Sequence, residues 1–397
     1  MIRLTSRGLG LVTVAVALLI AAALSGLRPL AWPGGLLLGL VAAAAVLSLG
    51  SARRPVVRRR LLPDRVAAGS DVLVSLEIER DGIGLGAWGY LEETTPPGLG
   101  GMPALPVPSG WGRLRSRHPY RLAAFRRGRY LIGPSNWTTV DPLGLASTRR
   151  LVGGRNLLTV TPAVHRLDDA AHGTGAGLVG EAARRRSSVL GPDDAMIRQY
   201  RPRDELRRIH WPSTAHTGTL MVRREEHAWE PSALILLDDR AAGHLGVGPA
   251  ATFEWAVSAA ASVGVHLLEA GYEVALTETG GRHLAAGDTV RETLLDHLTD
   301  SALSDAGDLG GALLAGPGVR AQLLVAIIGR LSRADAVALT AARRPGALCL
   351  AILLQPTEPG PDDPADVLLA NGWRVTRDAA SGGIPQAWAA LGDGVVR

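Results

Sequence analysis

Residues 233–239 read "ALILLDD", five apolar residues in a row closed by two aspartates. A strand that is apolar at every position has no wet face and needs cover on both sides. Four related stretches follow it: "YEVALTE" at 272–278, "QLLVAIIG" at 322–329, "ALCLAILL" at 347–354 and "WRVTRD" at 373–378. Helical patterns separate them near 249–270, 289–303 and 332–344. Strands alternating with helices predict a doubly wound parallel sheet with helices on both faces. Ligands of such sheets gather at the carboxyl ends of the strands. The first such end here is Asp238-Asp239, followed by the loop "RAAGHLGVGP".

Immediately upstream lies "YRPRDELRRIHWPSTAHTGTLMVRREE", residues 200–226, charged and without a sustained helical or strand period. Arg201, Arg208 and Arg223 can fork onto Asp204, Glu225 and Glu226, with Trp211 and Met221 expected to bury against the sheet. The part "GTLMVRREE" is expected to form a strand or hairpin arm. His210 and His216 lack the short spacing of a metal-binding pair. Before this segment, residues 168–192 read as a flexible connector carrying the basic run Arg184–Arg186.

Further upstream the period changes to two. In "DVLVSLEIE", Val72, Val74, Leu76 and Ile78 share one face of a half-buried strand. Glycine and proline clusters punctuate further candidates, "YLEET", "HPYRLAAF" and "WTTV". About 60–165 therefore reads as a small antiparallel β-sandwich-like domain. Two G-x-G-x-x-G matches, Gly84-Gly86-Gly89 and Gly175-Gly177-Gly180, lack the strand-turn-helix context that puts a pyrophosphate on a helix N-terminus.

At the N-terminus, residues 9–27 and 30–50 are two apolar runs without a charge, each long enough to cross a bilayer. With "RP" between them and Trp32-Pro33-Gly34-Gly35 read as a tight turn, they predict a transmembrane hairpin. A cleaved signal peptide is the competing reading of the first run; its length, the lack of a convincing cleavage site and the second span argue against it. Arg3 and Arg7 precede the first run, only Arg28 lies between the runs, and Arg53, Arg54, Arg58, Arg59 and Arg60 follow the second. Positive charge stays inside, so both termini are expected in the cytoplasm, at the inner plasma membrane. The cluster "RRPVVRRR" is also expected to be drawn to anionic headgroups, at about 1 kcal/mol per arginine.

Composition narrows the chemistry. Every one of the 42 basic residues is arginine, so a Walker-type P-loop is excluded in its usual form. The single Cys349 cannot form an internal disulfide and reads as a buried hydrophobe. G-x-S-x-G, H-E-x-x-H and paired-cysteine metal spacings are absent.

The chain resembles a bacterial family grouped as domain of unknown function 58. The resemblance is carried by Tyr200, Pro202-Arg203-Asp204, Arg208, Ile209-His210-Trp211, Ser213-Thr214-Ala215, Gly218, Leu220-Met221-Val222-Arg223 and Glu225-Glu226. A second piece is Arg127-Gly128-Arg129-Tyr130 with Asp141-Pro142-Leu143-Gly144-Leu145. Arg203 stands where the family usually has glycine. The resemblance implies a C-terminal unit similar to a von Willebrand factor A domain, where a first strand ends in Asp-x-Ser-x-Ser and binds a divalent cation. Here the serine places hold Arg240 and Ala242 counted from Asp238, or Ala241 and Gly243 counted from Asp239, and Gly329-Arg330 follow the later strand. A hard cation wants oxygens, so the site at Asp238, Asp239 and Arg240 reads as degenerate, without metal or other cofactor, and Arg240 is expected to pair with a carboxylate of the loop.

The expected organisation is a transmembrane helical hairpin at 1–55, the β-domain at 56–166, a connector and signature segment at 167–230, and an α/β unit at 231–397. The expected function is that of a non-enzymatic scaffold. The resemblance implies a MoxR-type AAA+ ATPase as partner, possibly beside a transglutaminase-like membrane protein, with Tyr200, Arg201, Pro202, Asp204, Arg208, His210, Trp211, Ser213, Gly218, Met221, Arg223 and Glu225 as clamp or docking residues. The rival readings are a metal-independent hydrolase built on Asp204, His210 and Asp238, and anionic-lipid or nucleic-acid binding by arginines 53–60 and 184–186. Aromatics are not interleaved with those clusters, so nucleic acid is not the expected partner.

Overall fold

The computed structural model describes residues 2–50, 55–80, 88–101, 104–107, 114–168, 197–200, 209, 211–223, 231–305, 309–311, 321–344, 346–355 and 363–392. The chain forms two compact units, Met1–Thr161 and Pro162–Arg397.

In the first unit, strand β1 (Ile2–Leu4) leads into helix α1 (Ser6–Ser25), and helix α2 spans Ala31–Gly50. Both are long and apolar enough to cross a membrane, with mean hydropathies of 2.4 and 2.0, and little of either is buried. The turn between them includes Arg28-Pro29, as the sequence suggested, but not Trp32-Pro33-Gly34-Gly35. Gly26, in the left-handed region at φ 70°, caps α1, and Arg28–Leu30 make a single 3-10 turn. Trp32-Pro33-Gly34-Gly35 are instead the first turn of α2, where proline's missing amide would have no helical partner anyway.

The β-strands that follow are β2 (Val56–Leu62), β3 (Arg65–Ala67), β4 (Asp71–Arg80), β5 (Trp88–Glu92), β6 (Leu105–Val107), β7 (Leu114–Ala123), β8 (Gly128–Ile132), β9 (Ser135–Val140), β10 (Ala146–Val152) and β11 (Asn156–Thr161). They form sheets ordered β2-β4-β7, β3-β11-β8 and β1-β10-β9-β5-β6. As the alternation in β4 demands, Val72, Val74, Leu76 and Ile78 are buried. The first two join Leu122, Ile132 and Leu158 in one core cluster; the other two join Leu91 and Trp137 in a second. The domain is not wholly antiparallel. β3 and β11 pair parallel, which the long connection between them allows and a hairpin would not. Gly89, third glycine of the first G-x-G-x-x-G match, lies against Trp137: a Cβ there would meet the indole ring at 2.2 Å, so glycine is required by packing.

A second correction concerns "RRPVVRRR". Its last five residues belong to β2, and strand alternation leaves Arg58 and Arg60 exposed while turning Arg59 inward. Arg59 pairs with Glu93 at 2.7 Å, both side chains almost fully buried. It also donates to the carbonyls of Ile132 and Gly154, to Asn156 Oδ1 and to Ser135 Oγ. Arg59 is thus a buried strut of the β-stranded part of this unit and does not face headgroups.

The second unit carries strands β12 (Ile197–Gln199) and β13 (Met221–Arg223), helix α3 (Trp211–Thr217), and then β14 (Ser232–Leu237), α4 (Thr252–Glu269), β15 (Glu273–Glu278), β16 (His283–Leu284), α5 (Arg291–Thr299), β17 (Leu323–Ile328), α6 (Arg333–Ala342), β18 (Leu348–Leu353), α7 (Pro364–Ala370), β19 (Arg374–Thr376) and α8 (Ile384–Gly392). The large sheet runs β16-β15-β14-β17-β18-β19 and is parallel except for β16. Along β14, Ala233, Ile235 and Leu237 join a core with α4, α5 and α8, while Leu234 and Leu236 join another with α6 and α7. That two-sided burial is why "ALILL" carries no polar position. The second unit begins at Pro162, earlier than the expected bound of 166, and Leu167 belongs to the first of these cores.

Candidate functional site

The strand order places a topological switch between β14 and β17, whose neighbours wind outward in opposite directions. Asp238 and Asp239 stand at that point, 0% and 2% exposed. Arg240 closes it. Its Nε donates to Asp238 Oδ1 at 2.8 Å and its Nη2 to Asp238 Oδ2 at 3.0 Å, a two-point fork. Nη1 reaches both oxygens of Asp335, at 3.0 and 3.1 Å, and Nη2 also donates to the Arg330 carbonyl. Burial works against its charge, but the carboxylates of Asp238 and Asp335 outweigh it and hold the guanidinium protonated above its ordinary range. Arg240 thus pairs with Asp238, two residues before it and just past the end of β14, and also with Asp335 of α6.

Asp335 escaped the sequence reading, although its signal was present. Ser332 and Asp335 form a capping box at the start of α6, with the Ser332 hydroxyl accepting from the Asp335 amide and the carboxylate accepting from the Ser332 amide. That box leaves Asp335 aimed at Arg240 while its Oδ2 is also held by the Ser332 hydroxyl at 2.7 Å. Asp239 is held separately, by the Thr279 hydroxyl and the Gly280 amide. The backbone closes the crevice further, because a Cβ on Gly329 would meet the Gly243 carbonyl oxygen at 2.1 Å. Among the described residues no group of three or more His, Cys, Asp or Glu is arranged to hold a metal ion. Chemically, the guanidinium does for the two carboxylates what a bound cation would do: it neutralises charge and fixes geometry.

His244, also missed in the sequence, packs on the same strand end. Its Nε2 lies 2.6 Å from the Asp238 carbonyl and its Nδ1 3.2 Å from Thr252 Oγ1, which fits a neutral ring donating through Nε2. Burial pulls its pKa below the ordinary 6.5; the nearby Arg240 adds to this, and Asp238 and Asp239 oppose it. A depressed histidine pKa means that the unfolded chain takes up the proton first as pH falls. Stability is full above the unfolded value and declines as pH drops from about 6.5 toward the folded value. Thermal denaturation of the wild type should accordingly show a loss of stability between about pH 7 and pH 5 that His244→Gln does not share.

A further buried group lies at the end of β15. Glu278, 0% exposed, accepts from the Ser301 hydroxyl and stands 3.1 Å from His297 Nε2. The serine is bonded to the carboxylate and not to the imidazole, so this is not the nucleophile-base order of a hydrolytic triad.

The signature segment is only partly in view. Arg201, Pro202, Asp204, Arg208, His210, Glu225 and Glu226 lie outside the described residues, as do the glycines of 175–180 and the arginines of 184–186. Of Arg223, the backbone lies in β13, which pairs antiparallel with β12. The Tyr200 amide continues that ladder to the Leu220 carbonyl at 2.8 Å, and Val222 bridges Ile209. Ser213 lies in α3, and Gly218 turns the chain out of it at φ 69°. Trp211 does not bury as expected. It is 67% exposed, because α3 is too short and polar to offer an apolar stripe, and Met221 is only half-buried.

Residues 196–344 match the family model described as "Protein of unknown function DUF58", a span running from the signature segment to the end of α6 and supporting the resemblance carried by 200–226. No curated protein matches the chain.

Proposed function

We propose that the chain is a membrane-tethered cytoplasmic scaffold that holds other proteins and carries out no chemistry of its own. The observation that carries this reading is the closed switch point: the place where a sheet of this order would take a ligand or cation is filled by Arg240, whose donors are spent on Asp238, Asp335 and Arg330. The unit then resembles a von Willebrand factor A domain with a protein cation in place of the metal. The hydrolase reading loses Asp238, which is committed to Arg240.

Tethering is supported by the two apolar helices and by β1, which pairs with β10. The segment before the first helix and the domain after the second thus belong to one sheet, as expected if the helices form a hairpin that crosses twice. The arginine bias puts that shared side in the cytoplasm, at the inner membrane. The partner in this reading is a MoxR-type AAA+ ATPase, possibly with a transglutaminase-like membrane protein, docking on the signature segment, where Trp211 offers an exposed aromatic. Affinity capture with the full chain from solubilised membranes is expected to recover an AAA+ ATPase, and less of it when Arg201, Arg208 and Arg223 are replaced by alanine. Equal recovery would remove docking through this segment; recovery of no ATPase would remove the partner.

A further inference from the structure

The motif Asp141-Pro142-Leu143-Gly144-Leu145 joins β9 to β10 and meets the two apolar helices. Its polar backbone is satisfied almost entirely from within. Asp141, 1% exposed, accepts from the amides of Leu143 at 2.8 Å, Leu145 at 2.7 Å and Ala146. The Gly144 amide donates to the Asp141 carbonyl at 2.9 Å, and the Asp141 amide to the Ala146 carbonyl at 3.0 Å. Thr5, the N-cap of α1, takes two more carbonyls: its hydroxyl donates to Gly144 at 2.6 Å and its amide to Leu145 at 3.0 Å. Satisfied backbone is the condition for an irregular turn to enter a low-dielectric region, where unpaired amides and carbonyls cost several kcal/mol each, on the order of a lost hydrogen bond in hydrocarbon.

The side chains point the same way. Leu145 is buried among Val41, Ala44, Leu11 and Val12. The uncharged run of the first helix begins at Leu9, so Leu11 and Val12 stand within about 5 Å of its start at 1.5 Å per residue. Leu143, at the tip of the turn, is 49% exposed, and the neighbouring helix surface is apolar and open, with Leu9 60% exposed. Arg7 Nη1 lies 3.8 Å from where a Cβ on Gly144 would stand, so the turn sits beside the charged entry to the first helix, where headgroups meet acyl chains.

We infer that the Pro142–Leu145 turn is a third membrane contact, seated at the cytoplasmic face of the bilayer with the Leu143 side chain among lipid acyl chains. This rests on reading α1 and α2 as spans. It would make the Asp141 turn a depth gauge that fixes how closely the β-domain rides on the membrane.

The test uses the full chain carrying Cys349→Ala, reconstituted in vesicles of phosphatidylethanolamine and phosphatidylglycerol, with a nitroxide at Leu143→Cys. Label collisions with oxygen, which concentrates in lipid, are compared with those of a water-soluble nickel chelate. Val16→Cys in α1 and Leu131→Cys on β8, 52% exposed, serve as lipid and water references. The Leu143→Cys label is expected to favour oxygen, as Val16→Cys does. A label at 143 that matches Leu131→Cys, or is shielded from both reagents by protein, while Val16→Cys stays in lipid, overturns the inference and leaves the spans intact. An aqueous Val16→Cys overturns both.

Discussion

Replacing Arg240 by alanine should destabilise the C-terminal unit by about 3–5 kcal/mol, the usual cost of breaking a buried ion pair by removing one partner. The reason is what remains: Asp238 and Asp335, 0% and 5% exposed, would be left buried without their cation partner. Hydrogen exchange of the β14 and β17 amides in the detergent-solubilised full chain reads this directly, because those strands flank the gap. Arg240→Lys should restore only part of the loss, since an ammonium cannot fork onto Asp238 and still reach both oxygens of Asp335. Arg240→Met combined with Asp238→Asn and Asp335→Asn should recover most of it, because removing all the charges removes the unpaired ones as well. If Arg240→Ala exchanges like the wild type, the guanidinium is not what holds the switch point together.

Arg59→Ala should have an effect of the same size, again about 3–5 kcal/mol, in the other unit. It would strand the Glu93 carboxylate, 6% exposed as a residue, with the Ser135 and Tyr120 hydroxyls as its donors among the described residues. Burial, and then the Glu93 charge, raise the pKa of the Tyr120 hydroxyl, so it remains a neutral donor to Glu93, but a neutral hydroxyl supplies no counter-charge. The same substitution separates two roles for the juxtamembrane arginines. Thermal unfolding of the β-domain should shift sharply, whereas binding of the full chain to anionic vesicles should be unchanged, because Arg59 does not reach solvent. Loss of vesicle binding with normal stability would return Arg59 to the headgroup cluster.

The fate of Arg59 illustrates what the sequence could and could not tell. As one of five arginines after an apolar helix it reads as a charged cluster, because composition has no register. Only the pairing of β2 with β4 decides which arginine turns inward. Where burial is two-sided or strictly alternating, as in β14 and β4, the pattern in the chain was sufficient to place strands and core faces. The candidate site was half legible. Asp238, Asp239 and the missing hydroxyls after them could be read from one contiguous stretch, and so could the departure at Arg240. Asp335 and His244 could not be connected to it, because their role depends on a contact across the sheet that no local spacing encodes. Trp211 misled for a different reason: a tryptophan between charges looks like an anchor, but the seven-residue helix that carries it buries nothing.

In the proposed reading, Arg240 stands in place of the cation of a von Willebrand factor A-like site. Titration of the full chain with manganese, followed by electron paramagnetic resonance, tests this most directly. The wild type is expected to leave the ion free in solution at all protein concentrations. Stoichiometric manganese held beside Asp238, and lost in Asp238→Asn, would contradict it.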